Sequence, residues 1–340
     1  MKGKFTDWLN IVRHMSLVRI LNLIQLKFSF ILGKYFKRPV VWGNPYAISI
    51  EPTTACNLAC PECPSGLKQF TRPTGKLHLN MNKRILDEVG KQLFYINYYF
   101  QGEPFLHPDF LDIVKDAKTR KIYTSTSTNA HFITKKKALE IVDSGLDRLI
   151  ISIDGLTQTT YVAYRVNGQL DKVIQAAKDL VEAKRLRKSK TPHLIFQFLV
   201  VKPNEHEVEG VFKLGKEIGV NEVRLKTAQV YDYKNGNTLI PENTRYSRYK
   251  KLKDGTYRPK AGESNHCWRM WSSTVFTWDG KLVPCCFDKD AQHQLGDLAI
   301  RPFSEIWRSK EYTSMRKSIL VARSKIDICA NCSEGAKVWV

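Results

Sequence analysis

Leu149-Ile150-Ile151-Ser152-Ile153-Asp154-Gly155 is a short apolar run, rich in β-branched residues, that stops at an acidic residue and a glycine. A run of this length and composition reads as a strand buried on both faces, and Asp-Gly ends it in a turn. The pattern recurs in Leu194-Ile195-Phe196-Gln197-Phe198-Leu199-Val200-Val201 and near 46–51, 93–100, 121–128 and 221–226. Between these runs, Phe110 to Ala117, Val173 to Leu180 and Val208 to Ile218 carry apolar residues at helical spacing. Strand and helix in alternation predict a parallel sheet covered by helices. Six such units are too few to close an eight-stranded barrel. The expected fold is α/β, a partial (β/α)6 TIM-like barrel.

In that architecture chemistry gathers at the C-terminal ends of the strands. The first strand runs into Cys56-Asn57-Leu58-Ala59-Cys60-Pro61-Glu62-Cys63. Each iron of a [4Fe–4S] cluster needs a ligand, so three thiolates hold three irons and leave one open. Half of a zinc site is the competing reading. Zinc sites usually set C-x2-C pairs near a fourth Cys or His, and the nearest downstream candidates, His78 and His107, follow no such spacing. The second strand ends at Tyr98-Tyr99-Phe100-Gln101-Gly102-Glu103-Pro104, where Gly102 permits a tight turn and Glu103 offers a carboxylate to an ammonium group. The third strand ends at Thr128-Asn129 and the fourth at Ser152 to Gly155, so these features share one rim. Tyr164-Arg165 follows in the next loop, and Gln197 and Lys226 on the fifth and sixth strands can point into the barrel mouth.

The C-x3-C-x2-C loop and these strand ends together resemble the radical S-adenosylmethionine (SAM) enzymes. The resemblance implies a [4Fe–4S] cluster on Cys56, Cys60 and Cys63, with SAM on the open iron. Gln101-Gly102-Glu103-Pro104 is similar to the Gly-Gly-Glu-Pro motif that receives the SAM amino group. Ser152 and Asp154 resemble the polar pair beside the ribose and carboxylate. Arg165 is a candidate for the carboxylate, because guanidinium grips carboxylates bidentately, and Asn129 and Gln197 complete the implied SAM contacts. The chain departs from the pattern twice. Gln101 replaces the first Gly, and Glu62 stands where many members carry an aromatic beside the adenine, which leaves the adenine contacts open.

The other cysteines are Cys267, Cys285, Cys286, Cys329 and Cys332. Trp278-Asp279-Gly280-Lys281 reads as a hairpin turn before Val283-Pro284-Cys285-Cys286, and Cys329-Ala330-Asn331-Cys332 is a C-x2-C chelate. The pattern resembles the SPASM and shortened "twitch" auxiliary-cluster domains of the same enzymes. It implies one auxiliary [4Fe–4S] cluster on Cys267, Cys285, Cys329 and Cys332 in a small C-terminal α+β domain. Adjacent residues on a strand face opposite sides, so only one of Cys285 and Cys286 is expected to bind, and the resemblance favours Cys285. A structural zinc on four thiolates is the alternative. The expected organisation is an N-terminal basic amphipathic helical segment (1–44), a radical SAM core (45–230), a connector (231–266) and the auxiliary domain (267–340).

The implied reaction is reductive SAM cleavage and hydrogen abstraction from a substrate, with the auxiliary cluster accepting an electron in a net oxidation. Asp288, three residues after Cys285, is a candidate base. A small-molecule or carbohydrate substrate is expected, with a peptide as the alternative, because the peptide-modifying members of the family that this chain resembles often carry a separate peptide-binding domain and residues 1–44 are too short for one. The chain carries 54 Lys and Arg against 33 Asp and Glu, a net charge of +21. That excess suits an anionic partner, and an acidic electron donor, flavodoxin or ferredoxin, would dock faster on a basic face. No RNA-binding module is recognisable, which ranks an RNA-modifying enzyme and a non-catalytic nucleic-acid-binding metalloprotein below. Eight cysteines are too sparse for a disulfide scaffold, and no secretory signal is readable. A cytoplasmic protein with reduced thiols is expected. Residues 1–44 form an apolar helix pair interrupted by Arg13, Arg19, Lys27 and Lys34; they are expected to pack on the core or to lie on a membrane surface as a peripheral contact.

Overall fold

A computed structural model of the protein describes residues 2–261 and 264–333. Two helices, α1 (Lys2–Arg13) and α2 (Leu17–Phe36), precede the sheet. The six expected parallel strands follow: β1 (Ala47–Ile50), β2 (Tyr95–Asn97), β3 (Tyr123–Thr128), β4 (Arg148–Ser152), β5 (His193–Val200) and β6 (Glu222–Thr227), paired in chain order. The crossovers carry α3 (Leu79–Val89), α4 (Phe110–Thr119), α5 (Lys135–Asp143), α6 (Leu170–Leu186) and α7 (Val208–Ile218). Alternation along each strand sorts the side chains. Ile151, Phe196 and Phe198 enter the apolar core with Val173 and Val211. Ser152, Gln197 and Arg224, in register across β4, β5 and β6, take the other face.

The sheet continues past β1 on its other side. After a separate hairpin of β7 (Tyr249–Lys251) and β8 (Tyr257–Pro259), strand β9 (Ser273–Phe276) pairs parallel with β1. Antiparallel β10 (Lys281–Val283) and β11 (Gly296–Asp297) extend it to nine strands among the described residues, in the order β11-β10-β9-β1-β2-β3-β4-β5-β6. An unpaired β1 would present a row of open backbone groups, and β9 satisfies them. The sheet is therefore an open, mostly parallel partial barrel. One apolar cluster runs from Ile96 and Leu149 through to Phe276, Phe303, Trp307 and Tyr312, the last on α8 (Lys310–Ala322), so the C-terminal segment shares the core of the barrel. Residues 334–340 of the expected 267–340 domain lie outside the described residues.

The 231–266 segment, read from its polar composition as a connector, contributes Leu239, Ile240 and Tyr249 to a second apolar cluster with Leu58, Cys60, Tyr164 and Leu199. Tyr249 Oη shares its one proton between the Val230 carbonyl at 2.9 Å and Asn331 Oδ1 at 3.0 Å. It thereby ties the barrel rim to one of the two residues between Cys329 and Cys332.

Helices α1 and α2 lie beneath the N-terminal ends of the strands. Asp7 is buried, accepting from Tyr123 Oη and pairing with Arg148, the first residues of β3 and β4. Arg19 donates to the carbonyls of Lys121 (2.6 Å) and Arg120 (3.1 Å) just ahead of β3. Asn22 exchanges two 2.8 Å hydrogen bonds with the backbone of Asn44, ahead of β1. Trp271, ahead of β9, donates Nε1 to the Val40 carbonyl at 2.7 Å.

Candidate active site

The loop after β1 carries Cys56, Cys60 and Cys63, and each sulfur meets a polar side chain from a different part of the rim. Asn129 Nδ2, just past β3, lies 3.9 Å from Cys56 Sγ. Arg165 Nη1 lies 3.7 Å from Cys60 Sγ, and Cys63 Sγ donates to Gln101 Oε1 at 3.8 Å. Burial raises the Cys60 thiol and pushes Cys56 up to about 11, so as free thiols they stay protonated. Iron would favour the thiolate form and offset that desolvation. N–H donors aimed at the sulfurs suit thiolate ligands. The local donor set therefore fits an iron–sulfur cluster.

Gly102 sits at φ +74°, and a Cβ there would approach the Thr53 carbonyl oxygen to 2.1 Å. Only glycine lets the β2 rim pass that close to the β1 rim. Its N–H donates to Ser65 Oγ at 2.9 Å, and the Glu103 N–H donates to the Ala55 carbonyl at 2.8 Å, clamping the cysteine loop to the second strand end. The Glu103 carboxylate is buried and accepts from Thr128 Oγ1 (2.7 Å), the Asn129 N–H (2.7 Å) and the Phe105 N–H (3.2 Å). Burial pushes it up to about 7 despite those bonds. A carboxylate has about four acceptor positions, so one remains for a ligand. Pro104 opens the single helical turn that Glu103 caps. Asn129 also donates to Asn57 Oδ1 at 2.7 Å, bringing the third strand end onto the same loop.

Asp154 is fully buried past the end of β4, accepting Arg165 Nε at 2.5 Å and the Leu199 N–H at 2.6 Å. Asn204, also fully buried, donates to the carbonyls of Asp154 and Leu199, both at 2.9 Å, and so fixes the fourth and fifth strand ends together. Ser152 and Gln197 stand opposite each other in register below this rim. Glu62 accepts from the Tyr231 N–H at 2.9 Å, so the departure from an aromatic there joins the cysteine loop to the 231–266 segment.

Lys226 is readable on the sixth strand, but its neighbours Lys289 and Arg248 carry no sequence signal. Lys289 Nζ donates to the Glu62 carbonyl at 3.3 Å and lies 4.5 Å over the Tyr231 ring. Arg248 Nη2 donates to the carbonyl of Thr227, at the end of β6, at 3.0 Å, while its buried Nη1 has no hydrogen-bond partner among the described residues. Burial pushes Lys226 down to about 8 and lowers Lys289, with Arg248 opposing both charges. The rim thus gathers three cations, of which Lys289 touches the cysteine loop.

The second cysteine group lines one pocket, bordered by Cys267, Cys285, Cys329 and Cys332 and by apolar Met270, Met315 and Ile319. Cys286 is exposed, outside that lining, with Arg269 Nη1 at 3.6 Å. No group of three or more His, Cys, Asp or Glu side chains among the described residues is drawn tightly enough to hold a single metal ion. A polynuclear cluster instead needs its thiols spaced around an inorganic core, and a donor set of four thiols with an apolar wall suits one. Burial holds the Cys285 thiol well above its usual range and pushes Cys329 up to about 12, a cost that iron ligation would remove. Asp288 is 2% exposed, and its two oxygens each accept a 2.9 Å bond from a backbone amide, Gln292 and His293. Its carboxylate closes a turn.

Comparison with known proteins agrees with this arrangement. The model of the radical SAM superfamily matches residues 50–215, and that of the SPASM family, an iron–sulfur cluster-binding domain, matches residues 267–333. The chain is 25% identical over 316 residues to the PqqA peptide cyclase of Gluconobacter oxydans, covering 87% of this chain and 84% of that protein. Among solved structures, Streptococcus suis SuiB bound to precursor peptide SuiA superimposes with a TM-score of 0.60 at 15% identity, over 86% of this chain and 70% of that one. BtrN in complex with AdoMet and 2-DOIA gives 0.54 at 17% identity, over 86% and 94%. At those identities the two structures establish the fold.

Proposed function

Because the chain belongs to the radical SAM superfamily and carries a SPASM domain, we propose that it oxidises a peptide substrate by hydrogen abstraction, using one auxiliary [4Fe–4S] cluster as electron acceptor. The observation that carries this reading is the convergence of Gln101, Asn129 and Arg165, from three separate loops of the barrel rim, on the three thiols of one loop. Cys56, Cys60 and Cys63 would hold the first cluster, and Cys267, Cys285, Cys329 and Cys332 the second. Bound there with SAM, the first cluster supplies a 5′-deoxyadenosyl radical able to take hydrogen from an unactivated carbon. The chain's own residues bind and orient. Glu103 has an acceptor position left for the SAM ammonium. Arg165, braced by Asp154, presents its remaining donors to the SAM carboxylate. Ser152 and Gln197 line the barrel interior below.

A peptide is favoured over a sugar or other small molecule by the likeness to a peptide cyclase over most of both lengths. Lys289 and Arg248, whose charges burial disfavours, would receive an acidic group of that peptide. The basic surface is suited to an acidic flavodoxin or ferredoxin as reductant, in which case raising the salt concentration slows reduction. The direct test is anaerobic reconstitution followed by dithionite and SAM. About eight irons per chain, with 5′-deoxyadenosine formed, supports the proposal. Zinc in place of iron and intact SAM would overturn it.

A further inference from the structure

Helix α2 is inside out. Its buried positions are Arg19, Asn22, Leu26, Ser29, Phe30 and Gly33, so half of the face toward the protein is polar. Those polar groups answer backbone groups left open beneath the sheet: Arg19 and Asn22 reach the carbonyls of Lys121 and Asn44. The opposite face is apolar and bare. Leu17 is 71% exposed, Ile24 53%, Phe28 60% and Tyr35 80%, and on α1 Phe5 and Trp8 stack on each other at 62% and 56% exposure. Trp42 continues the patch, lining an open groove with Val18 and Leu21. Isolated apolar residues on a surface need no explanation, but a contiguous face of this extent marks an interaction site.

The charge around the face selects its occupant. Asp7 is the sole acidic residue of positions 1–44, and it is buried against Arg148. Arg13 and Lys34 on the two helices, and Lys37 and Arg38 just past α2, are all exposed. Apolar side chains with cations around them and no free acid match a bilayer bearing anionic headgroups. Among the described residues no single helix is long and apolar enough to span; α1 and α2 pass that test only together, bent by 100°. Asp7, Arg19 and Asn22 hold both flat against the barrel.

We propose that the outward face of α1 and α2 docks this protein in the plane of an anionic membrane surface, through Trp8, Leu17, Ile24, Phe28 and Tyr35. The helices sit under the N-terminal strand ends, so the Cys56–Cys63 loop, past the opposite end of β1, faces away from the lipid. The inference does not depend on the reaction assigned above.

The test is sedimentation of the reconstituted full chain with phosphatidylcholine vesicles, with and without phosphatidylglycerol. Binding to the anionic vesicles, weakened by salt, is expected. Ile24→Glu combined with Phe28→Glu lowers that binding by at least about tenfold with iron content and SAM cleavage unchanged. Leu17→Glu, nearer the bend, serves as an independent variant should the first fold poorly. No binding to anionic vesicles at low salt overturns the proposal, as does undiminished binding by the variants. A dimer in light scattering that Phe28→Glu dissolves, with no vesicle binding by either form, assigns the face to a second copy of the chain and also overturns it.

Discussion

Arg165 bonds Asp154 through Nε at 2.5 Å and reaches Cys60 Sγ through Nη1 at 3.7 Å, so one buried ion pair sets the position of a donor at the cysteine loop. Asp154 is in turn fixed by the Leu199 N–H and, through its carbonyl, by Asn204. Asp154→Asn keeps the shape but removes the charge that orients the guanidinium. SAM affinity should fall about tenfold or more, the order of one lost charge-assisted bond, with iron loading retained. Isothermal titration of SAM into the reconstituted protein measures this. Arg165→Lys should fall at least as far, because lysine cannot serve both partners from one planar group.

Glu103 makes SAM binding depend on pH. Its folded-state value of about 7 lies above the ordinary carboxylate value of 4.5 because burial disfavours the charge. The folded protein therefore holds that proton more tightly than the unfolded chain. The resulting stability is fully present below the unfolded value and is lost as pH rises from there through about 7. An ammonium ligand favours the ionised form, so SAM binding should release a proton, and affinity should rise between about pH 6 and about pH 8. Calorimetry in two buffers of different ionisation enthalpy counts the proton. Glu103→Gln should abolish the release and weaken SAM; an unchanged proton count in that variant contradicts the assignment.

The six parallel strands and their crossovers were legible because strands covered on both faces are nearly pure apolar runs, as Leu149 to Ile153 is. The continuation through β9 was not. Ala47 and Ser273 pair across most of the chain's length, and hydropathy identifies a strand without naming its neighbour. The helical character of residues 17–36 was readable too, whereas the inward turn of Arg19, Asn22 and Ser29 was not, since it answers open carbonyls that exist only once the sheet has formed. At the site, cysteine spacing and the Gly102-Glu103 turn carried most of the signal. Asn204, Arg248 and Lys289 act through bonds made by the tertiary arrangement, and no local motif marks them.

Cys285 and Cys286 should separate cleanly by iron content. Cys285 borders the cavity shared with Cys267, Cys329 and Cys332, while Cys286 is exposed beside Arg269. Cys285→Ser should retain about four irons per chain and Cys286→Ser about eight. Electron paramagnetic resonance of the reduced proteins should show one cluster signal in the first and two in the second. The reverse pattern would move the ligand to Cys286.

Glu51 and Arg72 form a buried two-bond ion pair, at 2.6 and 2.8 Å, just after β1, and the Trp278 N–H adds a third bond to Glu51 at 3.3 Å. The pair therefore joins the first strand end to the C-terminal hairpin. Arg72→Met strands a carboxylate that is wholly buried, which typically costs about 3–5 kcal/mol. Adding Glu51→Gln should recover most of it, because the uncompensated charge is then gone. Urea unfolding of the two variants beside the parent measures both terms, and additive losses would contradict the pairing.

Asp288 separates a catalytic base from a structural acceptor. Both of its oxygens receive backbone amides of the turn that follows Cys285, and its carboxyl is raised by burial. A base in the reaction would lose about 10² or more of turnover on conversion to Asn, with stability intact. The geometry predicts the opposite balance for Asp288→Asn. Turnover should fall less than about tenfold, while unfolding stability drops by about 1–2 kcal/mol as an amide nitrogen is set against backbone donors. The two outcomes differ in the pH profile as well. Loss of a base removes the acidic limb of the rate, whereas loss of a turn acceptor leaves the profile in place and lowers the melting temperature.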